Sequence, residues 1–186
     1  TFNLVDSLTQ TIFREVYRFR PAVVQGTFDF YLIKPFNPLF RSLAVGPDLI
    51  DLFLLIPLCG ALIFFLNRLN ITDPASLAIY MLLVIVGLII SLSFHILVLA
   101  LAVVTTEIDH AVLVYRDLSG MGRFPVDIYR EPIRGLLTFV VPVGIMMSFP
   151  VKGLMGMLSP FLILYALLFS LVFFYISLKI WHLSLR

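Results

Sequence analysis

The sequence predicts an all-α, polytopic transmembrane helix bundle, and three observations carry that reading. Of the 186 residues, 61% are hydrophobic and 13% charged, about half the roughly 25% charged residues of a soluble domain. Mean hydropathy is +1.07. Ala75 to Val104 is a run of thirty residues without a charge, where about 20 suffice to cross a hydrocarbon core of about 30 Å. So few charges cannot cover a globular surface, and lipid is the natural solvent for most of it.

The same composition narrows the function classes. A net charge of +2 offers no basic face. The Phe64-Phe65 and Phe173-Phe174 runs lie in apolar stretches, not among the Lys and Arg that base stacking requires. No nucleic acid is expected as a partner. Cys59 is the single cysteine and forms no internal disulfide. The chain opens on Thr1 with no signal-peptide pattern, which reads as a fragment or a processed chain.

In chain order, Val5, Leu8, Ile12, Val16 and Phe19 recur at helical spacing, with Arg14, Arg18 and Arg20 gathered behind them. This amphipathic helix either lies on a membrane surface or extends an upstream helix. Residues 26–48, with Pro35, Pro38, Gly46 and Pro47, read as short elements joined by turns. A first span covers about 49–67, with Pro57 and Gly60 suggesting a kink or close helix contact. A second covers about 75–104, opened by Asp73 as cap and Pro74 in the first turn. Thr106 and Asp109 suggest a capping box ahead of a helix that mixes Val112 and Val114 with His110, Arg116 and Asp117. Leu136 to Phe149 is apolar but short, interrupted by Pro142 and followed by Pro150, as in re-entrant or interfacial segments. The last span, about 160–182, opens on Ser159-Pro160, and Lys179, Trp181, His182 and Arg186 mark its interfacial end.

Positive charge in short loops stays cytoplasmic. Arg14, Arg18, Arg20, Lys34 and Arg41 therefore place residues 1–48 inside, followed by a transmembrane domain over 49–186 with a cytoplasmic C-terminus. Arg116, Arg123, Arg130 and Arg134 would by the same rule keep 105–135 inside.

Catalytic patterns are not found. There is no phosphate-binding G-x-x-x-x-G-K-[ST] loop, no H-E-x-x-H and no clustered Cys/His set, so no ATPase site, metal or cofactor is expected in this chain. His95 is an ionisable residue within the long apolar helix, hence a candidate intramembrane polar site. The alternative is a neutral histidine bonded to a neighbouring helix, helped by Ser91 and Ser93. No polar constellation is expected to gather at one depth. The stretch from Gly26 to Leu39, with aromatics and prolines ahead of a span, suits either partner docking or a plain interfacial connector.

That stretch, Gly26-Thr27-Phe28-Asp29-Phe30-Tyr31-Leu32-Ile33-Lys34-Pro35-Phe36-Asn37-Pro38-Leu39, resembles an element of type-2 ABC exporter permeases. Phe124-Pro125-Val126-Asp127-Ile128-Tyr129, then Pro132, Arg134, Leu137-Thr138-Phe139-Val140-Val141-Pro142 and Phe149-Pro150, resembles a second element of that family. The resemblance implies a cytoplasmic coupling helix that docks on an ATPase, with Gly26, Asp29, Tyr31, Leu32, Lys34 and Pro35 as its residues. It also implies an outward span over 106–124 and a re-entrant helical hairpin over 130–150, marked by Pro125, Tyr129, Arg134, Pro142 and Pro150. Relative to six-helix members, the first two membrane helices would be missing. The implied function is the permease subunit of an ATP-driven exporter in the bacterial inner membrane. Its partners would be an ABC ATPase subunit that binds ATP and Mg, a second permease copy or a homologous permease, and lipid. A channel or ion-coupled carrier using His95, or a non-transporting scaffold, is the alternative.

Overall fold

A computed structural model describes residues 1–44, 49–105 and 109–186. Gly46, Pro47 and the Thr106 of the expected capping box lie outside them. The described residues are 83% helical and include no strand, which is the all-α class expected. The helices in order are α1 (Phe2–Phe13), α2 (Phe19–Val24), α3 (Asp29–Ile33), α4 (Pro38–Ala44), α5 (Leu49–Arg68), α6 (Pro74–Thr105) and α7 (Asp109–Gly120). Then follow α8 (Ile133–Gly135), α9 (Val143–Met147), α10 (Phe149–Leu154) and α11 (Pro160–Ser184).

α6 is the mast of the bundle. Its start is fixed as the sequence signals: the Asp73 carboxylate accepts from the Ser76 amide at 2.9 Å, the Ser76 hydroxyl at 2.7 Å and the Ala75 amide at 3.4 Å. These satisfy donors that the helix itself leaves open. α11 starts in the same way, with Ser159 accepting from the Leu162 amide. Both helices are long and apolar enough to cross a membrane. They run parallel: Tyr80 and Leu83 share a cluster with Ala166 at one end, Phe94 stacks on Phe173 midway, and Leu99 meets Trp181 at the other end. α6 is mostly buried, whereas Leu164, Leu168, Leu171 and Val172 of α11 and Phe53, Ile56, Phe64 and Phe65 of α5 are exposed. Such apolar faces belong in lipid. Trp181, expected at an exposed interface, is 1% exposed and turned inward. At Gly60 a Cβ would meet open space, so the close contact expected there is not made within this chain.

Residues 1–24, grouped above with the cytoplasmic element, lie along α6. The Thr1 and Tyr80 hydroxyls are 3.4 Å apart, Tyr17 Oη is 3.3 Å from His95 Nε2, and Phe28 packs edge-on against Trp181. α1 is therefore parallel to α6, its Val5, Thr9 and Phe13 face buried. α7 runs the other way, tied by Tyr115 Oη to Ser91 Oγ at 2.9 Å.

The 106–124 segment is helical over 109–123: α7 is 12 residues, followed by a 3₁₀ turn at Met121–Arg123 and extended backbone at Phe124. The chain then breaks repeatedly. A 3₁₀ turn at Val126–Ile128 leads to α8 and a π-helical turn at Leu136–Val140, then α9 and α10. The prolines sit where a missing N–H costs least: Pro142 caps α9 and Pro150 lies in the first turn of α10. Val143 to Pro150 is buried throughout. α9 reaches α6 at Gly87, about 20 Å along it from Pro74 at 1.5 Å per residue. A Cβ on Gly87 would lie 3.0 Å from the Met146 carbonyl oxygen and 3.3 Å from its Cα. Backbone meets backbone there, the approach that small residues permit between membrane helices.

Gly87→Val is expected to cost about 1–3 kcal/mol by overpacking, read as a lower thermal midpoint in lipid nanodiscs. The three donors hold the Asp73 carboxyl below its ordinary range, Ser76 first among them. A carboxyl depressed in the fold stabilises it above the ordinary carboxylate range and ceases to as pH falls through the lowered value. The stability gap between wild type and Asp73→Ala is therefore expected at neutral pH and to close in acid.

Candidate functional site

The 26–39 element is built by an inward anchor and an outward face. Gly26 has φ +71° and ends α2, a left-handed position that suits glycine. The Phe28 amide and the Thr27 hydroxyl both donate to the Ala22 carbonyl, folding the chain back. Phe28 is 5% exposed and stacks on Phe19, Tyr31 and Trp181. The Arg41 guanidinium lies 4.3 Å over the Tyr31 ring, a cation–π contact. Lys34 turns the backbone extended ahead of Pro35, and the Asn37 carboxamide accepts from the Leu39 amide to start α4. Of the expected residues, Asp29, Leu32, Lys34 and Pro35 are exposed, while Tyr31 is half-buried against Phe28 and Arg41. Phe30, Ile33, Phe36 and Phe40 were not singled out by the sequence, yet they are the most exposed apolar side chains here, Ile33 at 79%. Phe28 and Tyr31 point in and Phe30 and Ile33 point out; the three-residue spacing within each pair is the signal that separates them.

The hairpin is closed by contacts that sequence alone did not indicate. The Val126 amide donates to Ser148 Oγ at 3.3 Å, and Lys152 Nζ pairs with the Asp127 carboxylate at 2.7 Å. Tyr129 Oη donates to the Met121 carbonyl at 2.9 Å, which fastens the segment to the end of α7. Arg134 forms an exposed pair with Glu131 at 3.7 Å, Pro125 is exposed, and Pro142 and Pro150 are buried.

His95 is 2% exposed. Its Nδ1 lies 2.8 Å from the Ser91 carbonyl oxygen. A carbonyl only accepts, so Nδ1 carries a proton and Nε2 in the neutral ring accepts from Tyr17. Phe13, Tyr17 and Tyr115 stack around the ring. The Ser91 hydroxyl bonds Tyr115, and Ser93 returns its hydroxyl to Ile89 in its own helix.

Beside this cluster lie further polar side chains. Two adjoining open cavities of about 470 and 490 Å³ lie between α1 and α7, sharing Asp6, Gln10 and Arg116 in their walls. Arg14, Tyr17 and Arg18 line one, Asp117 and Arg123 the other. The polar side chains from Asp6 to Arg18 are strung along α1 and the turn that follows it, not gathered at one depth. Asp6, Gln10, Arg14 and Arg18 recur every four residues, a stripe that was legible beside the apolar one. Among the described residues no group of three or more His, Cys, Asp or Glu is placed to hold a metal.

A lipid-facing bundle with a broken, sheltered hairpin and a polar groove is the architecture of a membrane transport component. The chain matches the ABC-2 family transporter protein family over residues 1–186, and it belongs to that family. It is an integral membrane permease component of an ABC transporter, and membership implies an ABC ATPase as partner. No curated protein and no solved structure matches it.

His95→Ala is expected to destabilise the bundle by about 2–3 kcal/mol, from the cavity and the lost hydrogen bond with Tyr17. The pH profile of transport should keep its shape. A thermal melt and a transport assay across pH check the two halves; a profile that flattens would make the imidazole a titrating group of the transport path.

Proposed function

We propose that this permease couples ATP hydrolysis on a separate ATPase subunit, which binds ATP and Mg, to export from the cytoplasm. The observation that carries the reading is the 26–39 element. It is anchored by Phe28 against the ends of α2 and α11 and offers Phe30, Ile33, Phe36 and Phe40 outward. An exposed apolar patch next to prolines suits docking of a protein partner. Asp29, Leu32, Lys34 and Pro35 form its polar and rigid rim, and Tyr31 holds it from behind. On this reading the 26–39 element and the C-terminus lie in the cytoplasm of a bacterial cell, and the hairpin over 130–150 enters from the outer side.

A second copy, or a homologous permease, completes the path. Charged side chains at membrane depth are costly unless they face protein or water, and the α1–α7 groove is open in one chain. ATP drives the cycle only if the two permease states bind the closed ATPase pair unequally.

The test is co-purification with the ABC ATPase partner. Phe30→Asp with Ile33→Asp should lower its recovery roughly tenfold or more, the loss of about 1.4 kcal/mol or more of binding. Phe28→Ala should instead lower thermal stability. Undiminished recovery with the double variant would remove this surface from the interface, and transport persisting without ATP would assign the protein to carriers.

A further inference from the structure

We propose that the groove between α1 and α7 binds the transported molecule through a compact oxyanion, a phosphate or a carboxylate; this rests on the permease role above. The location comes first. Tyr17, in the turn that follows α1, contacts His95 and Tyr115 contacts Ser91, so the end of α1 and the middle of α7 are pinned to α6. Asp6, Gln10 and Arg14 precede Tyr17 by whole or near-whole turns, and Arg116 follows Tyr115 directly. The polar groups thus stand well inside the span of α6.

The sign follows from the walls. Among the described residues, Arg14, Arg18, Arg116 and Arg123 face the two cavities against Asp6 and Asp117, four cations to two anions. Arg116 and Arg123 are seven residues apart, two turns on one side of α7 and its following turn. The Arg123 guanidinium lies 5.7 Å over the Phe2 ring, and both line the same cavity. Guanidinium forks match phosphate and carboxylate with paired hydrogen bonds, and the Gln10 amide adds a neutral donor. A cationic substrate would meet the majority charge. Both cavities are open, and the oxyanion can arrive on a membrane-borne amphiphile or on a soluble molecule.

The experiment uses the full permease with its ATPase in phosphatidylcholine nanodiscs and reads stimulation of ATP hydrolysis. The probes are dodecyl phosphate, laurate, dodecyl trimethylammonium, dodecyl maltoside and glycerol phosphate. The two anionic alkyl probes should act at roughly tenfold lower concentration, or less, than the cationic and neutral ones. A response to glycerol phosphate as well identifies a soluble source, and a response to the alkyl anions alone a membrane-borne one. Arg116→Gln and Arg123→Gln should each raise the half-maximal concentration roughly tenfold, Arg116→Lys less, and Lys179→Gln, outside the groove, should not change it. Probes that act alike whatever their charge, or not at all, overturn the assignment; so does indifference to both Arg→Gln variants. Equilibrium binding of labelled laurate to the permease alone reads the groove even where no ATPase attaches, so failure of the oxyanion site and failure of the permease role are separable.

Discussion

Hydrocarbon offers no hydrogen bonds, and that constraint governs the whole arrangement. Every backbone group at membrane depth must find its partner in the protein. α6 and α11 meet it alone, each as one unbroken helix opened by a side-chain cap and a proline. The segment from Met121 to Leu158 does not, because it breaks at Phe124, Pro142 and Ser148. It is tolerable only where protein covers it. The bare face of α6 at Gly87 lets Met146 approach, and Ser148, Tyr129 and Lys152 close the remaining connections.

The same constraint sorts the polar side chains into two kinds. Those buried beside α6 are consumed locally: His95 by Ser91 and Tyr17, Ser91 by Tyr115, Ser93 by its own helix. They fix α1 and α7 in register with α6 and leave little for chemistry. Those on the opposite side of α1 and α7 line a groove wide enough for solute. The Tyr17 hydroxyl belongs to both sets, bonded to His95 and lining a cavity, so the structural cluster forms the floor of the functional one.

Much of this was legible in the sequence. Charge-free length announced α6 and α11, and Asp73-Pro74 and Ser159-Pro160 marked their starts. Pro142 and Pro150 announced a broken segment. The side on which α1 packs was not legible, because an amphipathic pattern reads alike on a membrane surface and beside a helix with a groove behind it. The apolar stripe through Val5 and Val16 meets α6, and the polar stripe through Asp6 and Gln10 meets the groove, not bulk water. Phe28 and Phe30 are chemically identical, and only the local helix phase sends one to Trp181 and the other to solvent. Trp181 misled for a related reason: its position near a helix end fits an interfacial belt, but the folded-back 26–31 segment covers it.

These contacts give the proposed coupling a physical route. Force on Ile33 bears on the short α3 helix and its anchor Phe28, which is wedged between Phe19 and Trp181. Phe19 begins α2, and the preceding turn carries Tyr17 on the floor of the groove. Motion of the docking element would therefore shift α2 and the end of α11 together, and through Tyr17 alter the groove wall. Contiguity alone does not transmit energy; it needs an element with two arrangements that both ends bias. The turn at Arg14–Arg18 is the place for one. It is 3₁₀ between two α-helical stretches, and a 3₁₀ stretch within a helix often marks a hinge. Winding that turn to α-helix would shorten it and rotate Arg14 and Arg18 relative to Arg116. ATP binding below would then change the cationic wall above.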